Sequence, residues 1–347
     1  MITHINLLKT VKTAAGCVLA IWLGDLLGLN YSSSAGVIAL LSIHDTRKET
    51  LRATGNRIAG FFMALLLAPG CFLLAGFGPV AIGLFLLLFT PLSMVLHIPE
   101  AVSVSTVLMT HFLSEGRMGG EEILNEILLL LTGAGTGILL NLYIPGKKRH
   151  IQRKQRQIEE GFRGFLQEAA GILDRGERGL KQEREPGSWP GKRLEERLNA
   201  LKSMILQGER EAFFDVENSL LSETRYYLKY MSMRKGQLMV SERMGECLKR
   251  LEGYERLPDQ AVRIGELLEL TRVAFHEFNN ARGLLAKLEQ TREKIKSQPL
   301  PGTRDEFEIR ALLYQILLDL RQLLVIKRDF SDSLTTEERK IFWGEAI

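Results

Sequence analysis

The segment ILNEILLLLTGAGTGILLNLYI (residues 123–144) is followed, after Pro145-Gly146, by KKRHIQRKQR (residues 147–156). The first stretch is long enough for a helix that crosses the ~30 Å of hydrocarbon in a bilayer, whereas the second is too charged to enter it. The contrast extends over the whole chain of 347 residues, because 15 of its 86 Asp, Glu, Lys and Arg residues precede position 147 and 71 follow position 146. The sequence therefore predicts two domains, an apolar one over 1–146 and a charged one over 147–347.

The apolar domain contains six segments that are predicted to be membrane helices. A bilayer supplies no water to free backbone amides, so apolar runs of this kind fold as helices. The first run lacks a small-residue cleavage site and is predicted to be a retained span rather than a signal peptide. The predicted spans are 10–29, 31–44, 58–75, 80–96, 100–113 and 123–144, with interruptions expected at Pro69 and Pro91.

Basic residues predict the orientation of these spans. Lysine and arginine are enriched on the cytoplasmic side of membrane proteins. They lie at the start of the first span, in the link 45–57 and after the sixth span. In the links after spans one, three and five, the only Lys or Arg residue is Arg117. Both termini and the 45–57 link are therefore predicted to be cytoplasmic.

The second and fifth spans are unusually short, and at 14 residues each they would extend only ~21 Å. They occupy matching positions if spans one to three and four to six are two halves, which would then be antiparallel. Paired short segments in inverted halves are typical of a midplane site in transporters. A weak similarity between residues 34–44 and 101–111, which pairs His44 with His111, favours such a repeat.

Polar groups inside the spans are the candidate site residues, because they are costly in hydrocarbon. Two carboxylates at similar predicted depth could share a proton, or both could reach the outer headgroups. The histidine of span five could titrate near neutral pH, bind a carboxylate or only pack between helices. The serines that begin span two could cap the helix or bind an anion. The predicted substrate or proton pathway comprises Asp25, Ser33, Ser34, Ser105, Thr106, His111, Asn125 and Glu126.

The remaining patterns predict helix packing. Gly133 and Gly137 have the GxxxG spacing that normally marks a close helix contact. Residues 147–347 show amphipathic helical spacing without strand signals, which is typical of a helical bundle. Within it, helices are expected over about 192–207, 209–255 and 258–296, and the Gly- and Pro-rich stretch 174–191 is expected to be a loop. The fold class is thus all-α, a six-span membrane bundle followed by a cytoplasmic helical bundle.

Several function classes are not expected from this sequence. Nucleotide-binding and nucleophile motifs are missing, and His276-Glu277 is not followed by the second histidine of a zinc site. The three cysteines are scattered, which is typical of a reducing compartment without disulfides. The net charge of +4 is too small and too evenly mixed for a nucleic-acid surface. We therefore expect no enzyme, no cofactor, no metal and no nucleic-acid partner.

Four stretches together resemble the bacterial aromatic acid exporter family, which is related to the fusaric acid resistance proteins. They are residues 12–42, residues 107–111 (VLMTH), residues 125–145 from Asn125-Glu126 to NLYIP, and the C-terminal motifs LP at 300–301, TRDEFE at 303–308, RA at 310–311 and KRDF at 327–330. The resemblance implies six membrane helices in a bacterial cell membrane and a cytoplasmic helical domain. It also implies efflux of aromatic carboxylates, although some distant relatives are anion channels.

Three functions remain open from the sequence. The first is secondary efflux of aromatic or other weak organic acids, with a small organic anion as substrate and a homodimer pooling twelve spans. The second is a passive anion channel of the same fold. The third is a membrane-tethered scaffold whose helical half recruits a partner.

Overall fold

A computed structural model describes residues 7–143, 148–174, 190–219, 225–251, 253–254 and 256–344 of the chain. Within these ranges the structure is all-α and contains no strand. The chain divides into two compact units, Met1–Gly146 with Glu217–Leu220, and Lys147–Val216 with Leu221–Ile347. We call them the apolar unit and the charged unit.

The apolar unit is built from six helices. Two of them, α3 and α6, are long and apolar enough to cross a membrane by length and composition, and α2 and α4 are shorter apolar helices. The predicted arrangement of six spans is therefore not confirmed, since α1 and α5 do not meet this criterion in the described residues. The helices are α1 (Leu7–Leu26), α2 (Ser32–Ser42), α3 (Arg47–Ala75), α4 (Pro79–Val95), α5 (Ala101–Glu115) and α6 (Gly120–Leu142).

Helix α3 corrects two expectations about this unit. It begins inside the basic link that was predicted to connect two spans, because the Thr46 hydroxyl caps it by accepting a hydrogen bond from the Glu49 amide at 3.2 Å. It also continues through Pro69, and α4 continues through Pro91. A proline costs a helix one backbone hydrogen bond, and helices in apolar bundles tolerate this loss.

Most helix contacts of the apolar unit repeat when its two halves are exchanged. The pairs α1–α2, α2–α6 and α1–α6 have the counterparts α4–α5, α5–α3 and α4–α3, and the contacts α3–α6 and α2–α5 map onto themselves, whereas the α2–α3 contact has no α5–α6 backbone contact of similar extent. This pattern is expected of two three-helix halves related by a pseudo-twofold axis. It supports the internal repeat that the short second and fifth segments predict.

The turns that precede α2 and α5 share one backbone motif. Gly28 and His97 both have left-handed conformations, with φ of 67° and 58°. The amide after each donates to the carbonyl five residues earlier, Leu29 to Gly24 at 3.0 Å and Ile98 to Ser93 at 2.9 Å. Both turns are therefore Schellman motifs. Their register pairs each residue with the one 69 positions later, so that Ser42 rather than His44 corresponds to His111.

Glycines allow α6 to approach α2 closely. A Cβ added at Gly133 would lie 2.5 Å from the Ala35 carbonyl oxygen and 2.7 Å from Ile38 Cβ, and one added at Gly137 would lie 2.7 Å from Ser42 Cβ. The packing face predicted from the GxxxG spacing is thus confirmed. This contact holds the N-terminal and C-terminal parts of α2 against α6.

Gly133→Ala is expected to destabilise the apolar unit by about 1–3 kcal/mol, because its methyl group would overlap the α2 backbone. The matched control is Gly135→Ala on the same helix, where an added Cβ meets nothing within 4 Å. Alanine favours a helix by up to ~1 kcal/mol over glycine, so this control should be neutral or slightly stabilising. Thermal unfolding of the full chain in detergent gives the comparison, and equal midpoints for the two variants would contradict the packing model.

The charged unit is a helical bundle with one hydrophobic core. Its helices are α7 (Lys148–Leu173), α8 (Pro190–Asn218), α9 (Arg225–Leu251), α10 (Asp259–Val273), α11 (Arg282–Lys296), α12 (Arg304–Asp332) and the short α13 (Thr336–Glu338), followed by a π-helix (Arg339–Trp343). The core contains Leu, Ile and Phe side chains of α7, α8, α9, α10 and α12. The amphipathic stripes predicted for this half therefore form its core.

The helix boundaries of this unit differ from the predicted ones, and the helix predicted over 209–255 is divided between α8 and α9. Helix α8 extends to Asn218 instead of ending at 207, and the helix predicted over 258–296 is broken between α10 and α11. At the break, the side-chain oxygens of Asn279 and Asn280 accept from the amides of Ala281 and Arg282 at 2.7 and 3.1 Å. Asparagine side chains that bond the backbone two residues on favour turns over helix. Most of the loop predicted at 174–191 lies outside the described residues.

Candidate functional site

A buried chain of three polar side chains connects α2, α5 and α6. His111 on α5 is its middle member, with Nδ1 2.7 Å from Glu126 Oε2 and Nε2 3.0 Å from Ser34 Oγ. The side chains of His111 and Glu126 are 8% and 2% exposed, and Ser34 is buried as well. We call this arrangement the relay. It brings together three residues of the predicted pathway that are far apart in sequence.

The hydrogen-bond pattern fixes what the relay can hold. When Glu126 is ionised, His111 donates from Nδ1 to Glu126, and Nε2 accepts the proton of the Ser34 hydroxyl. When the imidazole gains a second proton, Nε2 becomes a donor to Ser34 Oγ. Histidine is the side chain that normally changes charge near neutral pH. The relay can therefore store one proton without breaking a contact between the three helices.

Neighbouring groups hold the relay in place. The Asn125 side-chain amide donates to Glu126 Oε1 at 3.0 Å and to the Asn30 carbonyl at 3.2 Å, and its oxygen accepts from the Asn30 amide at 2.8 Å. The Tyr31 ring stacks on the His111 ring, with centroids 4.2 Å apart and planes 6° apart. The Tyr31 hydroxyl donates to Glu115 at 3.1 Å. Both ends of the carboxylate and one face of the imidazole are thus occupied.

A cavity of about 160 Å³ opens beside the relay. Its wall carries four carboxyl groups and one guanidinium, which belongs to Arg117 and pairs with Glu122 at 2.6 Å. The balance of charge favours a proton or a cation over an anion. The lining residues are Asn30, Tyr31, His111, Phe112, Glu115, Arg117, Glu121, Glu122, Asn125 and Glu126.

The other predicted pathway residues do not join the relay. Asp25 is exposed and accepts a hydrogen bond from the Ser32 hydroxyl. Ser33 is exposed, and Thr106 donates to the Val102 carbonyl of its own helix at 2.7 Å. Ser105 is fully buried, and its hydroxyl has no hydrogen-bond partner.

The Asp25 carboxylate contacts Ser32 and does not line the cavity, whereas Glu126 contacts His111 and lines it. One expectation about these residues needs correction. The serines of α2 do not cap it with their side chains, since the N-cap residue is Tyr31. Ser34 faces His111 instead, and Ser32 faces Asp25.

Sequence reasoning missed two features of the apolar unit. Tyr31 was placed at a span boundary without a role, although an aromatic residue beside a polar cluster is a usable signal. Arg57 was counted among the cytoplasmic link residues, but it is only 4% exposed and donates from Nη1 to the buried Ser42 hydroxyl at 3.2 Å. A basic residue ten positions inside an amphipathic helix cannot be separated from a topology signal by sequence alone.

The charged unit contains a second buried polar cluster. Arg234, which is 1% exposed, donates from Nη2 to Glu159 at 2.8 Å and from Nη1 to Gln237 at 2.8 Å. The Tyr230 hydroxyl also donates to Glu159 at 2.8 Å, and the guanidinium carbon lies 4.5 Å from the centre of the Phe275 ring. All members come from packed helices or their ends, so the cluster fixes how α7 and α9 meet.

Lys327 lies beside this cluster in an apolar cage. Its ammonium donates to the Glu277 carbonyl at 2.6 Å and lies 5.0 Å from the ring centres of both Phe330 and Trp343. Burial, and secondarily the charge of Arg234, lower the pKa of Lys327 to about 7. Burial likewise raises the pKa of Glu277. Lys327 and Phe330 are the ends of the KRDF motif, which thus contributes to the core.

A larger groove of about 480 Å³ lies on the charged unit between α8 and α9. Its lining consists of apolar and charged side chains, of which Arg243 pairs with the buried Asp319 at 2.6 Å. Size alone therefore does not make it the functional site. Among the described residues no cluster of His, Cys, Asp or Glu could hold a metal ion.

Apolar helices that bury ionisable side chains between them are typical of helical membrane proteins with a polar interior. The apolar unit has this arrangement. The chain belongs to the aromatic acid exporter family. Residues 5–144 match the family model "Aromatic acid exporter family member 1", and residues 148–328 match the model "Putative aromatic acid exporter C-terminal domain". The family is one of membrane transporters, which implies a membrane location for this chain.

Two individual proteins are similar to the chain. The "Uncharacterized protein YqjA" of Bacillus subtilis (strain 168) is 33% identical over 322 residues, which cover 93% of this chain and 95% of that protein. A solved structure titled "Crystal structure of putative membrane protein from Clostridium difficile 630" is 27% identical and covers 52% of this chain and 99% of its own. Its TM-score is 0.43.

Proposed function

We propose that the chain exports weak organic carboxylic acids by a secondary, proton-coupled mechanism. The observation that carries this proposal is the buried relay of Ser34, His111 and Glu126. Ionisable groups inside an apolar bundle are costly and mark proton or ion pathways in transporters. A carboxylic acid moves through a membrane protein as an anion, so coupling to a proton uses the pH gradient to drive it.

The position of the relay supports coupling rather than simple passage. Its three residues come from α2, α5 and α6, which belong to both halves of the repeat. Gain or loss of a proton at His111 changes the charge at the point where the halves meet. The proposed change of access is a movement of one half against the other, as inverted repeats perform in other transporters.

Topology and assembly complete the proposal. All six helices of the apolar unit span the membrane, with α2 and α5 as short central segments, and both termini lie in the cytoplasm. Exposed apolar side chains on the outside of the unit, such as Leu66 and Leu73 at 84% and 88%, are suited to lipid contact. A homodimer remains the proposed assembly.

The test is transport by the full chain in proteoliposomes loaded with a radiolabelled aromatic carboxylate such as benzoate. We expect efflux that increases when an inward proton gradient is imposed. When the gradient is collapsed, efflux should fall to the leak rate of protein-free liposomes loaded with the same carboxylate. Flux of equal rate with and without the gradient would favour the passive anion channel. Absence of flux, together with a specific partner captured by residues 147–347, would favour the scaffold.

A further inference from the structure

The end of α2 opposite the relay holds a buried cation, Arg57, that no carboxylate contacts directly in the described part of the chain. Ser34 and Ser42 are eight residues apart on α2, so the two ends are separated by ~12 Å along the helix. Arg57 on α3 contacts the Ser42 hydroxyl at 3.2 Å and is 4% exposed. Among the described residues, no carboxylate lies within 4.0 Å of its guanidinium. Burying an arginine in this way is unfavourable unless something else satisfies it.

The guanidinium also has unused hydrogen-bonding capacity. Arg57 Nε is fully buried without an acceptor, and so are Thr54 Oγ1, one turn away on α3, and His44 Nε2. His44 is close enough to Arg57 for their charges to interact. The other polar groups at this end, Thr50 and Asn141, bond each other and the backbone of the α2–α3 link. Buried donors of Arg57 and Thr54 that have no acceptor therefore lie one helical turn apart on α3.

The Arg57 site and the relay differ in charge. The register of 69 residues holds for α2 and the start of α5, whereas α3 and α6 begin 73 residues apart, at Arg47 and Gly120, so Arg57 is not the counterpart of Glu126. The relay holds a carboxylate and an imidazole, and the Arg57 site holds a guanidinium and a hydroxyl. The acidic cavity beside the relay would repel a carboxylate, whereas the Arg57 end would attract one.

We infer that Arg57 binds the carboxylate group of the solute, with the Thr54 hydroxyl as a neighbouring donor. The inference rests on the proposed function, because the bound anion is its cargo. A guanidinium presents two parallel N–H donors that match the two oxygens of a carboxylate. The proton and the anion would then occupy different ends of α2 rather than one shared pocket.

Equilibrium binding of benzoate to the purified full chain tests this without a membrane gradient. Isothermal titration should show that Arg57→Lys weakens benzoate binding by about tenfold or more, since lysine keeps the charge but loses the paired donors. Arg57→Gln should weaken it further. The matched control is Arg52→Gln, which removes an exposed cation from the same helix and should bind as the wild type does. The thermal midpoint of each variant shows that it is folded.

Three results would overturn the inference: wild-type protein that binds no benzoate, Arg57→Lys with wild-type affinity, or an equal loss in Arg52→Gln. Lipid phosphate is the competing source of an oxyanion. Native mass spectrometry that finds anionic phospholipid retained through Arg57, with benzoate affinity independent of this residue, would also overturn it. Gradient-driven efflux measured beside benzoate binding for each Arg57 variant keeps a loss of coupling and a loss of anion binding separately visible.

Discussion

Glu126→Gln is expected to remove the effect of the pH gradient on carboxylate flux and to lower gradient-driven efflux to the level of empty liposomes. A glutamine side chain keeps the size of Glu126 and can still contact His111, but it cannot stabilise a second proton on the imidazole. The His111–Glu126 contact is almost completely removed from solvent. The measurement is benzoate efflux from proteoliposomes with and without an imposed gradient.

Asp25→Asn is the matched control for this experiment. It removes one carboxylate of the same unit, but Asp25 is exposed and binds only Ser32 in the described contacts. Its gradient-driven efflux should equal that of the wild type. Gradient-dependent flux that persists in Glu126→Gln would show that the relay does not couple transport. A loss in both variants would point to a general requirement for carboxylates instead.

Glu159→Gln is expected to destabilise the charged unit by roughly 3–5 kcal/mol, the effect of leaving a buried charge without its partner. Arg234 would keep its contacts with Gln237 and the surrounding rings but would lose its counter-ion. Glu242→Gln is the control, because the Lys202–Glu242 pair joins side chains that are 57% and 40% exposed. Exposed pairs contribute ~0–1 kcal/mol.

Hydrogen exchange of the α9 amides in the full chain measures both effects, since α9 contains Arg234 and Glu242. Faster exchange along α9 in Glu159→Gln, with near wild-type rates in Glu242→Gln, is the expected result. Equal rates in the two variants would mean that the buried pair does not determine the stability of this unit.

The sequence predicts the helices of the apolar unit well, because backbone amides in a long apolar run can satisfy their hydrogen bonds only within a helix. It predicted their ends less well. The charged start of α3 resembles a link between helices in sequence. Thr46 determines where the helix begins only because the Glu49 amide lies within hydrogen-bond distance of its hydroxyl, which the sequence does not show. Pro69 looks like a break, although a single lost hydrogen bond is small against the packing of a long helix.

The candidate site was predicted in part for a similar reason. His111, Glu126, Asn125 and Ser34 stand out because polar groups are rare in apolar helices. Which of them meet depends on how helices are rotated and paired, and no short-range pattern carries that information. In sequence, Asp25 and Glu126 are similar only in their predicted depth in the membrane. Arg57 resembles a basic residue of a cytoplasmic link, because its burial arises only when α2 and α3 pack together.

The two halves of the apolar unit have a consequence for directionality. In a symmetric pair of identical three-helix chains, a twofold axis would place the same side chain at both equivalent positions. Both ends would then be acidic, or both basic, and a solute would meet the same environment from either side. Joining the halves in one polypeptide lets the Arg57 end and the Glu126 end of the unit carry opposite charges, which gives the passage an electrical polarity that a homodimer of half-length chains could not have.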